Sequence, residues 1–230
     1  SPLVQKVNER IDLGTGIETV GFVTKGYVAT VLQLYLLGVS IGYSKGLLSD
    51  DQVSIIKSQL EKMIEAVPQV IDKTIAFFEK NVSTFKLANR FVTIGYGPNW
   101  GTAKEFETKF TETVRVPSQG VELEAYMHGP YLEANHEHVL FFIEAPSSNQ
   151  TRSQLLCDYM TSHVGKAYTI TVAAAADSDT LGLDVACEEL FSPLLLVIPF
   201  QIFSYLGAAA KGIDLSKRIF DDFDQVLKSK

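Results

Sequence analysis

The chain is poor in the residues that build covalent staples, metal sites and nucleic-acid grooves. Its 230 residues include two cysteines, four histidines and one tryptophan. Cys157 and Cys187 are too few for a disulfide framework and fit reduced thiols in a cytoplasmic protein. No Cys/His set has zinc-ligand spacing, so no metal is expected. The formal charge of −7 comes without a long basic run. A phosphate backbone needs clustered Lys and Arg, so a nucleic-acid partner is not expected, and a small anionic substrate would have to be met by local donors. A dinucleotide fingerprint is missing too, because Gly95 and Gly97 in Ile94-Gly95-Tyr96-Gly97-Pro98 read as turn residues after a strand.

What is present is a globular composition. Hydrophobic residues make up 46% and charged residues 20%, which excludes a disordered or coiled-coil chain. One stretch, residues 190–210, carries no charge over a length that could span a bilayer. Pro193 and Pro199 interrupt it, Ser192, Gln201 and Ser204 are polar, and no basic flank orients it, so we read it as core and expect no membrane. The start, Ser-Pro-Leu-Val-Gln, has neither an initiator Met nor a signal-peptide build, and the natural chain is expected to begin upstream of Ser1.

Residues 10–16, RIDLGTG, read as a strand entering a glycine loop, and residues 22–43 as a buried helix. Leu47-Leu48-Ser49-Asp50-Asp51 signals a helix start, with Val53, Ile56, Leu60, Met63 and Val67 at helical spacing until Pro68 interrupts; a second helical stretch follows from Gln69. From Arg90 the pattern becomes strand, loop, helix, repeated: FVTIGYG, HVLFFIEA and AYTITVAAAA are apolar runs separated by helical segments. Such runs suit a parallel sheet covered on both faces. The fold class expected is therefore α/β, a doubly wound parallel-sheet domain over residues 85–230, preceded by a helical connector (51–84) and the tail of another domain (1–50).

Residues 102–130, TAKEFETKFTETVRVPSQGVELEAYMHGP, are the candidate site. Ala103, Phe106, Phe110 and Val114 make an apolar stripe, and Glu105, Thr108, Lys109 and Glu112 share the opposite face. The plain alternative is a solvated face held by ordinary i, i+4 and i, i+3 ion pairs. Sixteen residues past Glu112, His128 precedes Gly129 and Pro130, which fix a turn and let the ring project. His136 and His138, in a polar NHEH segment, read as structural or solvated. A second candidate is Pro146-Ser147-Ser148-Asn149-Gln150-Thr151-Arg152-Ser153, between a strand and a helix. There Ser147, Ser148 and Thr151 could hold an anion or serve as a helix cap.

Lys109, Glu112 and His128-Gly129-Pro130 resemble the second sugar isomerase (SIS) module of the isomerase half of glucosamine-6-phosphate synthase and of the fructosamine-6-phosphate deglycases. The resemblance continues through Ser192-Pro193, Ile198-Pro199, Gln201, Tyr205, Lys211-Gly212 and Asp214. Glu18 with Thr24-Lys25 is similar to the end of the first module. It implies a flavodoxin-like SIS fold, a sugar-phosphate substrate, and a site between modules and subunits in at least a homodimer. Glu112 would move a proton between C1 and C2 of the opened sugar, and His128 of a neighbouring subunit would assist ring opening. Lys109 would add electrostatic support, and no redox cofactor would be needed. Val226-Leu227-Lys228-Ser229 resembles the family's closing lysine segment, which makes Lys228 a candidate, with Lys230 its competitor.

Three departures stand out. The family's Ser-x-Ser-Gly-x-Thr phosphate loop is absent, Val23 replaces the serine after the first-module glutamate, and Ala125, with Glu124 adjacent, replaces the glutamate three residues before the histidine. The last two suggest a substrate other than the synthase's own. The activity expected is deglycation of a fructosamine 6-phosphate. A synthase-type amino-sugar-phosphate isomerase or deaminase is the rival enzyme, and a sugar-phosphate-sensing module the rival outside enzymes.

Overall fold

The computed structural model describes residues 2–220 and 222–228. They fall into two compact units, Ser1–Glu65 and Ala66–Lys230.

In the first unit a 3-10 turn at Pro2–Lys6 and an irregular segment lead into α1 (Lys25–Ser44). No strand forms at residues 10–16; Gly14 and Gly16 both take positive φ, and the chain there runs without a partner strand. α1 is apolar as expected, yet none of its residues is buried, contrary to the buried helix expected at 22–43. α1 and α6 (Pro193–Ala210) are both long and apolar enough to cross a membrane by length and composition. α6, the stretch read as core, is largely buried.

α2 runs from Asp50 to Leu87 as one helix with Pro68 inside it. A proline in a helix removes one N–H and crowds the carbonyl four residues earlier, so two helices were the natural expectation. Here that carbonyl belongs to Ile64, an exposed residue, where water can take over the lost bond.

The second unit is a five-stranded parallel sheet in the order β2-β1-β3-β4-β5, with β1 Arg90–Gly95, β2 Ser118–Glu122, β3 His138–Glu144, β4 Lys166–Thr171 and β5 Thr180–Gly182. This is the doubly wound, flavodoxin-like order. Every residue of β3 is buried, including His138, which fits the structural and not the solvated alternative. Alternation along the strands feeds two cores. On one face Phe91 and Phe141 meet Phe85 of α2, Phe110 of α3 (Asn99–Thr113) and Phe200 and Phe203 of α6. On the other, Val92, Ile94, Leu140 and Phe142 pack with Tyr126 of α4 (Leu123–Met127) and Met160 of α5 (Gln150–Thr161).

Candidate active site

α3 carries the central candidates, and its two ends are fixed by different means. At the start, the buried Asn99 donates from Nδ2 to Ser192 Oγ at 2.7 Å and accepts at Oδ1 from Thr102 Oγ1 at 3.1 Å. Ser192 Oγ in turn donates to the Glu189 carbonyl at 2.7 Å, so the network ties α3 to the entry of α6. Along its length α3 lies against β2 at Gly120, where a Cβ would come within 2.0 Å of the Ala103 carbonyl. At the far end Val114 and Arg115 both donate to the Phe110 carbonyl at 2.9 Å, with Arg115 in the left-handed region at φ 58°.

The apolar stripe Ala103, Phe106, Phe110 and Val114 is fully buried, as expected. The opposite face is not the solvated surface that ordinary helix pairs would make. Lys109 is only 4% exposed. Its Nζ donates to Glu112 Oε2 at 3.0 Å and lies 3.8 Å from Glu105 Oε1. Glu105 is nearly enclosed, and Oε1 has no hydrogen-bond partner. Burial raises its pKa, Lys109 opposes the shift, and Glu112 adds to it. Glu112 is the outermost of the three, with 39% of its side chain exposed. One reachable carboxylate is thus oriented by a buried ammonium, with a second carboxylate behind, an arrangement able to take and return a proton.

His128 is the exposed C-cap of α4 and shares no hydrogen bond or ion pair with that trio among the described residues. Its turn is set by Gly129 at φ 155°, ψ −56°, a conformation that a residue with a Cβ rarely takes. α4 is anchored twice. Glu122 accepts from the Ala125 N–H at 3.0 Å, and Glu124 holds Arg152 of α5 through Nη2 at 2.9 Å and through Nε. The Arg152 hydrogen bond keeps the Glu124 carboxyl below its ordinary range, with His128 contributing. Ala125 is exposed.

Ser147, Ser148 and Thr151 lie at the C-terminal end of β3 and the entry of α5. Ser147 Oγ accepts from the Asn149 N–H at 3.1 Å, and no side chain caps the helix. Nearby, on β3, sits a group the sequence reading passed over. Glu144 is 3% exposed and accepts from Gln154 Nε2 at 3.2 Å, with the buried Ser153 beside it. Burial pushes the Glu144 pKa up. While ionised, this carboxylate opposes an anion in the neighbouring loop.

In the first unit Glu18 is already occupied. Oε1 accepts from the Thr24 N–H at 2.8 Å, Thr24 Oγ1 at 3.0 Å and the Lys25 N–H at 3.1 Å, and Oε2 from the Gly26 N–H at 3.0 Å. The carboxylate caps α1, and these bonds, led by the Thr24 N–H, lower its pKa to about 2. Val23 is exposed beside it. Lys228 is the exposed, left-handed C-cap of α7 (Phe223–Leu227), while Lys230 lies outside the described residues. Among the described residues no group of three or more His, Cys, Asp or Glu could hold a metal.

No protein-family model matches the chain. The isomerizing glutamine–fructose-6-phosphate aminotransferase of Synechocystis is 27% identical over 223 residues, which cover 94% of this chain and 35% of that protein. The chain spans about a third of the length of the curated relatives it matches. Among solved structures, a protein of Clostridium difficile 630 provisionally assigned as a phosphosugar isomerase superposes with a TM-score of 0.88 at 23% identity, over 99% of this chain and 65% of that one. The C-terminal domain of glucosamine-fructose-6-phosphate aminotransferase from Francisella tularensis gives 0.78 at 18% identity, over 87% and 57%.

The chain has the SIS fold. Within this fold, Glu144 is a buried ionisable group that the sequence does not place in a site, and Glu105 is one that it puts on the candidate face without a role. Glu105 had a signal, its four-residue spacing from Lys109, but spacing alone does not tell a buried pair from a solvated one. Glu144 had one as well, a lone acid closing an apolar run.

Proposed function

We propose that the chain forms the second module of a SIS enzyme that cleaves a fructosamine 6-phosphate into a hexose 6-phosphate and an amine. Residues 85–230 would form that module, 51–84 a connector and 1–50 the end of a first module, in a cytoplasmic homodimer. The observation that carries the reading is the exposed Glu112 carboxylate held at 3.0 Å by a lysine withdrawn from solvent. Glu112 takes a proton from C1 of the opened ketosamine and returns one to C2, while the amine N–H proton passes to the C2 oxygen, giving the imine of an aldose. Water then hydrolyses the imine, releasing the amine and the hexose 6-phosphate. Lys109 fixes the carboxylate, His128 serves ring opening, and Lys228 supports the bound anion. Val23 and Ala125, where the family pattern has serine and glutamate, favour a substrate other than the synthase's.

The second reading, isomerisation of an amino-sugar phosphate, is favoured by the 27% identity to an isomerizing aminotransferase. The test follows hexose 6-phosphate release from fructosamine 6-phosphates by the full natural polypeptide. Glu112→Gln should lower turnover by about 10²–10⁴-fold without unfolding the protein. Equal turnover would remove Glu112 from the chemistry. Absence of release, together with aldose–ketose interconversion, would move the assignment to the isomerase.

A further inference from the structure

The N-terminal edge of the sheet carries a cleft that the Glu112 site does not use. It is an open cleft of about 670 Å³ lined by Arg90, Lys104, Glu107, Arg115 and Gln119 among others, a size that suits a small polar ligand. Arg90 opens β1, Gln119 lies at the start of β2, and Lys104 and Glu107 belong to α3. At about 100° per residue, Lys104 and Glu107 sit roughly a third of a turn around α3 from Glu105, Lys109 and Glu112.

Donors dominate this lining. Glu107 Oε2 is occupied, accepting from Lys104 Nζ at 2.6 Å and the Gly120 N–H at 2.7 Å. Arg90 Nη2 donates to Gln119 Oε1 at 3.0 Å and pairs with Glu133, while Arg90 Nε is buried without a partner. Holding Gln119 by its oxygen leaves its amide nitrogen an unused donor. Arg115 makes no ion pair or side-chain hydrogen bond among the described residues. It also occupies a left-handed position, φ 58°, just past the end of α3. Such a position is unfavourable for a residue with a Cβ and is usually filled by Gly or Asn. The carboxyl end of α3 adds about half a negative charge; against it and the carboxylates of Glu107 and Glu133 stand three cations, Arg90, Lys104 and Arg115, which leave the cleft weakly positive.

We propose that this cleft binds a phosphate group, free or as the monoester of a small polar molecule. Arg115 is its principal ligand, and Lys104 and Arg90 complete the positive field. A guanidinium presents paired N–H donors matched to phosphate oxygens, and Arg115 has all of its donors uncommitted. The proposal does not rest on the activity proposed above.

The test titrates the 230-residue chain with inorganic phosphate, then with glucose 6-phosphate, at constant ionic strength, following backbone amides by ¹⁵N NMR. Saturable shifts at Val116, Ser118 and Gln119 are expected. Arg115→Asn keeps a residue suited to the left-handed backbone and should raise Kd about tenfold, as loss of a charge-assisted hydrogen bond does. Lys104→Gln should weaken binding in the same sense. Tighter binding of the ester assigns a phosphorylated small molecule, and equal binding assigns the free ion. Unchanged affinity in Arg115→Asn, shifts clustered at residues 147–151 instead, or no saturable shift at all would overturn the proposal.

Discussion

Lys109 Nζ and Glu112 Oε2 stand 3.0 Å apart near the end of α3, and only the glutamate reaches solvent to any extent. A lysine so enclosed loses most of its hydration, and its carboxylate partners take the place of water. Glu105 and Glu112 are those partners, and each would otherwise face the other's negative charge.

Lys109→Met should therefore destabilise the protein by about 3 kcal/mol, because it leaves Glu105 enclosed and uncompensated. Urea unfolding monitored by circular dichroism reads this directly. Adding Glu105→Gln to the same protein should restore at least half of the loss. A single variant with the wild-type midpoint would show that the ammonium contributes nothing to the fold.

Ser192→Ala breaks the buried link between α3 and α6. Asn99 Nδ2 loses the acceptor it holds at 2.7 Å and gains no water in exchange. The expected cost is about 1–3 kcal/mol, the range for a stranded buried donor. Ser192→Thr keeps the hydroxyl and should lie between the variant and the wild type in thermal denaturation. If Ala and Thr prove equally stable, the hydroxyl is not what holds the helices.

Glu144 gives a pH signature. Its folded pKa is raised by burial, so the folded state holds the proton more tightly than the unfolded chain does. Its penalty is absent below the unfolded value of about 4.3 and grows as pH rises toward the folded value. Glu144→Gln should thus gain stability relative to wild type between pH 4 and pH 8. Glu105 is shifted in the same sense and keeps part of the slope in the variant. Glu18 has the opposite sign: lowered to about 2, it contributes stability above about 4.3 that is lost as pH falls, below this window. Relative stability that moves the other way, read from melting temperatures at the two pH values, would mean that hydrogen bonding outweighs burial at Glu144.

The parts of the fold legible in the sequence are those where one force acts alone. β1, β3 and β4 are continuous apolar runs because both faces of an interior parallel strand are covered, and the flavodoxin-like class follows from their alternation with helices. β2 is not legible in Ser118-Gln119-Gly120-Val121-Glu122, since Gly120 is there for the approach of α3 and not for strand propensity. Pro68 misleads because the rule that prolines break helices assumes the freed carbonyl has no other partner. Lys109 misleads for a related reason: charge on a helix suggests solvent, and only the packing shows it enclosed.

The strand order has a temporal side as well. No two strands of the sheet pair through a hairpin, and the register of Arg90 with His138 waits for β2, α3 and α4 to be made first. Closing such long loops before any pairing repays it is slow, and bare strand edges invite association in the interval. During synthesis β1 therefore has only its β2 side to bond until residue 144 has left the ribosome. For that period a strand interior to the finished sheet is an edge strand.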